Sequence, residues 1–229
     1  GLRVTRIQRR AKYLLISCAE SSQIKGTLII HLGMSGSLRI LPSSTPAQKH
    51  DHVDLILGEQ CLRLRDPRRF GAMLWTEQDP FQHPLLARLG PEPLSEAFDT
   101  EYLLNQAQRR RIPIKQLLMD NHVVVGVGNI YATESLFLAG IHPQRPCNRI
   151  SAGRIDALTQ QVRKVIAAAI EQGGTTLRDF QHEDGKPGYF QQQLLVYGRR
   201  GQPCRHCGTL IKTRQIGQRT SAYCPQCQR

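Results

Sequence analysis

From residue 1 to residue 76 apolar and polar residues trade places in short bursts, separated by glycines or polar pairs. That rhythm belongs to strands rather than helices. Leu2 to Ser17 reads as one or two strands, broken by the basic patch Arg6, Arg9, Arg10 and Lys12. Thr27 to Leu32 and Ser37 to Leu41 flank the tight turn Gly33-Met34-Ser35-Gly36, which carries an apolar Met at its tip. Val53 to Leu57 and Cys61 to Arg65 form a hairpin around Gly58-Glu59, and Ala72 to Thr76 closes the set. Strands this short, with glycine turns between them, predict an antiparallel sandwich. Pro80, Pro84, Pro91 and Pro93 then mark a linker.

Beyond the linker the apolar spacing becomes helical. Asp99 or Thr100 caps a predicted helix to about Gln108, and Pro113 opens a second one through Met119. Asn129 reads as the N-cap of a third through Ala139, with Gly140 as its stop. Ser151 caps a longer helix to Gln172, whose Ile155, Leu158, Val162, Val165, Ile166 and Ala169 share one face and belong to a core. Leu194 to Tyr197 reads as a short strand. The expected organisation is α+β: a β domain over 1–90, a helical domain over 91–198, and a compact hairpin over 199–229.

Four cysteines give that hairpin its chemistry. Cys204-x-x-Cys207 and Cys224-x-x-Cys227 stand sixteen residues apart, a spacing that closes a tetrahedral thiolate site around one structural zinc ion. The segment between them reads as Thr209 to Ile211, a turn near Gly217, and Ser221 to Tyr223. So short a hairpin buries little apolar surface, and the metal supplies the missing stabilisation. From Arg199 to Arg229 there are seven Lys or Arg and no acidic residue, and the whole chain carries 31 basic against 18 acidic residues. That excess predicts a polyanionic partner. Cys18, Cys61 and Cys147 are an odd, scattered remainder, expected as reduced thiols in the cytoplasm. No apolar run approaches membrane-spanning length.

Three further stretches look functional. Asp66-Pro67-Arg68-Arg69-Phe70-Gly71 sets two arginines beside an aromatic ring between Pro and Gly, as a loop would that presses a cation and a wedge into nucleic acid. Val125-Gly126-Val127-Gly128-Asn129 feeds a helix start and offers free N–H groups to a phosphate. A dinucleotide fingerprint is excluded there, because Tyr131 stands where the third glycine belongs. The polar stretch 175–190 is long for a compact domain and reads as a functional loop.

These motifs occur in one order: His31-Leu32-Gly33-Met34-Ser35-Gly36, Asp66 to Gly71, Val125 to Tyr131, Asp184-Gly185-Lys186-Pro187-Gly188-Tyr189-Phe190, and the four cysteines. Together they resemble bacterial formamidopyrimidine-DNA glycosylase over nearly the whole chain. The resemblance implies a β-sandwich, a helix–two-turns–helix domain and a zinc finger, with DNA in the cleft between them. It implies excision of oxidised purines from double-stranded DNA, followed by strand cleavage at the abasic site. By position, Lys12 matches a lysine assigned to β-elimination, and Arg219 a phosphate-binding arginine assigned to δ-elimination. Asn129 matches a residue that grips phosphate, and His50, Arg68 and Arg110 match DNA contacts. Met34, Arg68 and Phe70 match the trio that fills the gap left by the extruded nucleotide, and 175–190 matches the loop that closes over the damaged base. The protein is expected to act as a monomer.

One departure stands against this. The family nucleophile is an N-terminal proline amine followed by a catalytic glutamate, and this chain opens Gly1-Leu2-Arg3 in a strand-like pattern. A few dozen family residues are therefore expected to be missing, and the chain as it stands is expected to lack base excision. Three readings stay open: a glycosylase/lyase, a damaged-DNA-binding module without excision, and an endonuclease VIII-like enzyme for oxidised pyrimidines.

Overall fold

The computed structural model describes residues 1–172 and 194–229, which form two compact units. The expected loop 175–190 lies outside the described residues.

The first unit, residues 1–88, holds seven strands: β1 (Arg3–Arg10), β2 (Tyr13–Glu20), β3 (Gln23–His31), β4 (Ser37–Pro42), β5 (Asp51–Leu57), β6 (Gln60–Arg65) and β7 (Ala72–Thr76). They make two antiparallel sheets, ordered β1-β2-β3-β7 and β4-β6-β5. Ala11 and Lys12 form the turn between β1 and β2, so the basic patch lies along the end of β1 and in that turn. Leu15, Ile29, Ile30, Cys61 and Leu64 are buried and form this unit's apolar interior. Each such Leu or Ile contributes roughly 1.5–3 kcal/mol by leaving water.

Arg63 is buried in the middle of the second sheet. It donates to both carboxylate oxygens of Asp54, at 2.8 and 2.7 Å, and to the carbonyls of Thr45 and Pro46. The bidentate pair holds Asp54 below the usual carboxylate range, chiefly through these hydrogen bonds. Its structural effect is to pin the loop that leads into His50.

The second unit, residues 89–172 and 194–229, holds α1 (Thr100–Gln108), α2 (Ile114–Met119), α3 (Asn129–Leu138), α4 (Ala152–Glu171) and the hairpin β8 (Lys212–Ile216) and β9 (Arg219–Tyr223). Asp99 caps α1 by accepting from the Tyr102 amide at 2.7 Å. Phe98, Leu103, Leu117, Leu136, Ile155 and Leu158 share one core, so the spacing that predicts the helices also selects the faces they bury. Gly140, at φ +66°, ends α3 in the left-handed region. From α4, Arg163 reaches the carbonyls of Pro93, Leu94, Ser95 and Phe98 and fastens the end of the proline-rich linker to the helices.

Three local expectations change. Gly128, not Asn129, is the N-cap of α3, and Asn129 is the first helical residue. The first hairpin strand begins at Lys212 rather than Thr209. Leu194 to Tyr197 is not a strand. Instead the amides of Leu195, Val196 and Tyr197 all donate to the carboxylate of Glu134 on α3, at 2.8–3.0 Å. A buried carboxylate takes the place of a neighbouring strand, because buried N–H groups must find an acceptor somewhere.

Candidate nucleic-acid interface

In the first unit the candidate residues gather around one buried acid. Asp66 is 2% exposed. Its carboxylate accepts from the Ser35 hydroxyl at 2.8 Å, the Gly71 amide at 2.7 Å and the Arg68 amide at 3.3 Å. Its own amide donates to the His50 carbonyl at 3.0 Å, and its carbonyl lies 2.9 Å from His52 Nε2. One residue thus fastens the Met34 turn, the Arg68–Phe70 loop and the His50 backbone together. Burial is the largest single influence on this acid and raises its pKa. The hydrogen bonds from Gly71, Ser35, Arg68 and Arg69 together outweigh burial and hold it below the usual range.

What the frame presents is unlike a core. Met34 is 50% exposed and Phe70 is 58% exposed. The Arg68 guanidinium stacks 5.0 Å from the centre of the Phe70 ring. Gly33 sits at φ +65°, where a Cβ would lie 2.6 Å from the Phe70 carbonyl carbon, so only glycine lets the two loops approach this closely. Lys12 is exposed in its turn. Its charge reaches His31, whose imidazole is held below its ordinary value first by burial and then by Lys12. His31 Nδ1 accepts from the Gly33 amide at 3.1 Å, at the base of the Met34 turn.

In the second unit the frame is metal and lysine. The four cysteine sulfurs all lie within 4.8 Å of one another, with Cys204–Cys227 at 3.9 Å and Cys207–Cys224 at 3.5 Å. A tetrahedral zinc with bonds of about 2.3 Å separates its sulfurs by about 3.8 Å, so the set needs only small side-chain adjustments to close on the ion. Hydrogen bonds from Thr209 pull the Cys207 thiol down to about 6, close to the thiolate that a metal needs. The zinc is structural: four protein ligands leave no open position. Phe137, Val196, Ile211 and Ala222 pack around Cys204 and Cys224 and seat the hairpin on α3. Gln228 locks the second cysteine pair by accepting from the Cys224 amide and donating to the Ile141 carbonyl, both at 2.9 Å.

Lys115 of α2 then joins the hairpin to the start of α3. Its ammonium donates to Asn129 Oδ1 at 2.6 Å, Ser221 Oγ at 2.6 Å and the Thr220 carbonyl at 3.3 Å. Asn129 Nδ2 donates to the same Thr220 carbonyl at 3.2 Å. This is why Asn129 does not cap its own helix: its amide is committed to partners far away in sequence. Arg219 is exposed at the head of β9, next to Thr220, and its charge is felt by Lys115. Asn129 and Arg219 are therefore brought together.

Arg110 is not gathered into either cluster. It stands just beyond the end of α1 with its guanidinium on Gln106, at 2.9 and 2.6 Å, and its charge acts on Tyr102. Sequence reasoning missed Lys115 and Glu134 and gave Ser35 and Asp66 no part of their own. A signal for Lys115 was present: Ile114, Lys115 and Leu118 occupy one helical face, which puts the lysine among buried positions.

Comparison with known proteins agrees with the geometry. Residues 1–73 match the formamidopyrimidine-DNA glycosylase N-terminal domain, residues 89–181 its H2TH domain, and residues 201–229 the zinc finger found in FPG and IleRS. The formamidopyrimidine-DNA glycosylase of Acidithiobacillus ferrooxidans is 56% identical over 230 residues, covering 100% of this chain and 83% of the relative. That of Methylococcus capsulatus is 57% identical with the same coverage. The crystal structure of the MutM (Fpg) protein of Thermus thermophilus superposes with a TM-score of 0.89 at 38% identity, over 100% of this chain and 84% of that one. Lactococcus lactis Fpg in complex with abasic-site DNA gives 0.90 at 32% identity, over 100% and 83%. With three family domains matched in order and relatives above half identity along its whole length, the chain belongs to the formamidopyrimidine-DNA glycosylase family.

Proposed function

We propose that this chain grips double-stranded DNA carrying an oxidised purine or an abasic site, with the damaged nucleotide turned out of the stack. In the family's full reaction the base is then released and the strand cut by β,δ-elimination. Asn129 and Arg219 hold phosphates beside the lesion. Met34, Arg68 and Phe70 fill the vacated space, where a wedge offsets lost stacking worth a few kcal/mol per step. His50 and Arg110 add phosphate contacts, and Lys12 assists β-elimination. The protein works as a monomer in the bacterial cytoplasm.

The reading rests chiefly on the coupling of Asn129 to Thr220 through Lys115. It makes a helix start and a metal hairpin one rigid site with an exposed arginine at its edge. Rigid supports are what a phosphate grip requires, since phosphate contacts fix register rather than read bases.

The test is binding and trapping. The zinc-loaded chain is expected to bind duplex with an abasic analogue more tightly than undamaged duplex. Borohydride trapping on true abasic DNA tests the covalent step, which the family assigns to a proline amine. A version extended by a Pro-Glu start taken from the relatives is expected to trap. Equal affinity for damaged and intact duplex removes the reading.

A further inference from the structure

Lys115 is only 1% exposed, and α2 buries Ile114, Leu117 and Leu118 beside it. Burying an ammonium costs several kcal/mol unless its partners replace water. Its three N–H donors meet three oxygens, those of Asn129, Thr220 and Ser221, and all three are neutral. The donors are satisfied but the charge is not answered. Among the described residues no carboxylate pairs with Lys115. α3 presents Asn129 to it, β9 presents Thr220 and Ser221, and the charged group that acts on it is a second cation, Arg219. An apolar side chain of similar length would fill the same space with no charge to bury. Two cations placed together, one buried and one exposed, describe an anion site before its anion arrives.

We propose that Lys115 is a positioning residue of the phosphate grip: it locks the Asn129 amide and the β9 backbone into one geometry, and the incoming DNA phosphate serves as its counter-ion. The inference rests on reading Asn129 and Arg219 as phosphate ligands. Lys115 lies behind Asn129 and acts through it and through its field.

A proton linkage follows. Burial first, and the Arg219 charge second, bring Lys115 down to about 8. A phosphate beside it favours the charged form and returns it toward the ordinary lysine value of about 10.4. Between those two values the complex holds a proton that the free protein has lost. Binding then takes up a proton, and affinity falls as pH rises, by at most about tenfold per pH unit. Neutral Lys115 has two N–H donors for three oxygens, so it also releases one of its partners.

The experiment uses the zinc-loaded chain and a short duplex with a central tetrahydrofuran site, at fixed ionic strength, from about pH 7 to about pH 10. Calorimetry in two buffers of different ionisation enthalpy counts the protons. The wild type is expected to lose about tenfold or more in affinity across this range and to take up most of one proton near its upper half. Lys115→Met is expected to bind about tenfold more weakly at neutral pH and to show no slope. Arg219→Gln is expected to bind more weakly and to move proton uptake to higher pH, because the neighbouring cation is gone. A purely structural lysine would not produce that shift. A flat wild-type profile without proton uptake overturns the proposal, and so does Lys115→Met with undiminished affinity and slope. If Lys115→Met does not fold, the wild type and Arg219→Gln decide the matter alone. Should Asn129→Ala and Arg219→Gln bind like the wild type, the phosphate grip itself has failed, whatever Lys115 does.

Discussion

The two units solve one problem with opposite charges. In the first, a buried anion, Asp66, collects N–H and O–H donors and holds the Met34 and Arg68–Phe70 loops. In the second, a buried cation, Lys115, collects oxygens and holds Asn129 against the zinc hairpin. Donors outweigh burial at Asp66, whose pKa falls and whose charge is secure. Burial prevails at Lys115, brought down to about 8. The carboxylate is therefore a finished structural device, whereas the lysine has no counter-ion among the described residues. The difference also fits the jobs proposed for each region. A wedge needs a stiff base, while a phosphate grip benefits from an unanswered positive charge.

The largest effect expected from breaking this comparison comes from removing the metal. Chelation of zinc should unfold the cysteine hairpin and abolish lesion-DNA binding, since structural zinc contributes about 10–16 kcal/mol in small fingers. The first unit, which has no part in the zinc site, should keep its β signature by circular dichroism. Metal-free protein that binds DNA as well as the holoprotein would show the hairpin to be dispensable.

Asp66→Ala should come next. It leaves buried amides and a hydroxyl without an acceptor, at about 1–3 kcal/mol for each group. Urea unfolding should show the loss in the first unit's transition, with zinc content unchanged. The pH dependence has a definite sign. The folded pKa lies below the unfolded one, so the stabilisation is present above the unfolded value of about 3.9 and disappears as pH falls through the folded one. Wild type and variant should therefore converge in acid, and an unchanged gap there would remove Asp66 from the role given to it.

Arg219→Ala should have the smallest effect, confined to binding. The side chain is exposed, so the fold and melting temperature should hold. The salt dependence of DNA affinity should fall by about one unit of slope, as for one lost phosphate contact. A collapsed hairpin in this variant would make Arg219 structural instead.

Much of the fold was legible before any coordinates. Ala72–Thr76 and Thr100–Gln108 have the bounds that their patterns predict, and of the two candidate caps Asp99 is the one used. The cysteine spacing was sufficient to indicate the metal. Asn129 was misread as a cap, because capping preference is local and its amide instead serves Lys115 and Thr220. Leu194 to Tyr197 has the composition of a strand, and its amides went to Glu134.

By itself, then, the chain's order of residues determined the elements, the apolar faces and the zinc ligands. Those depend on periods, turns and spacings within a few residues, where the backbone leaves few choices. Only the tertiary structure decided that Asp66 would organise the wedge loops, that Lys115 would be buried beside Arg219, and that Asn129 would reach the hairpin. The partners in these contacts stand from a few to about a hundred residues apart. No local preference encodes which distant oxygen a buried donor will find. That choice is made when the packed core leaves each buried polar group only a few partners within reach.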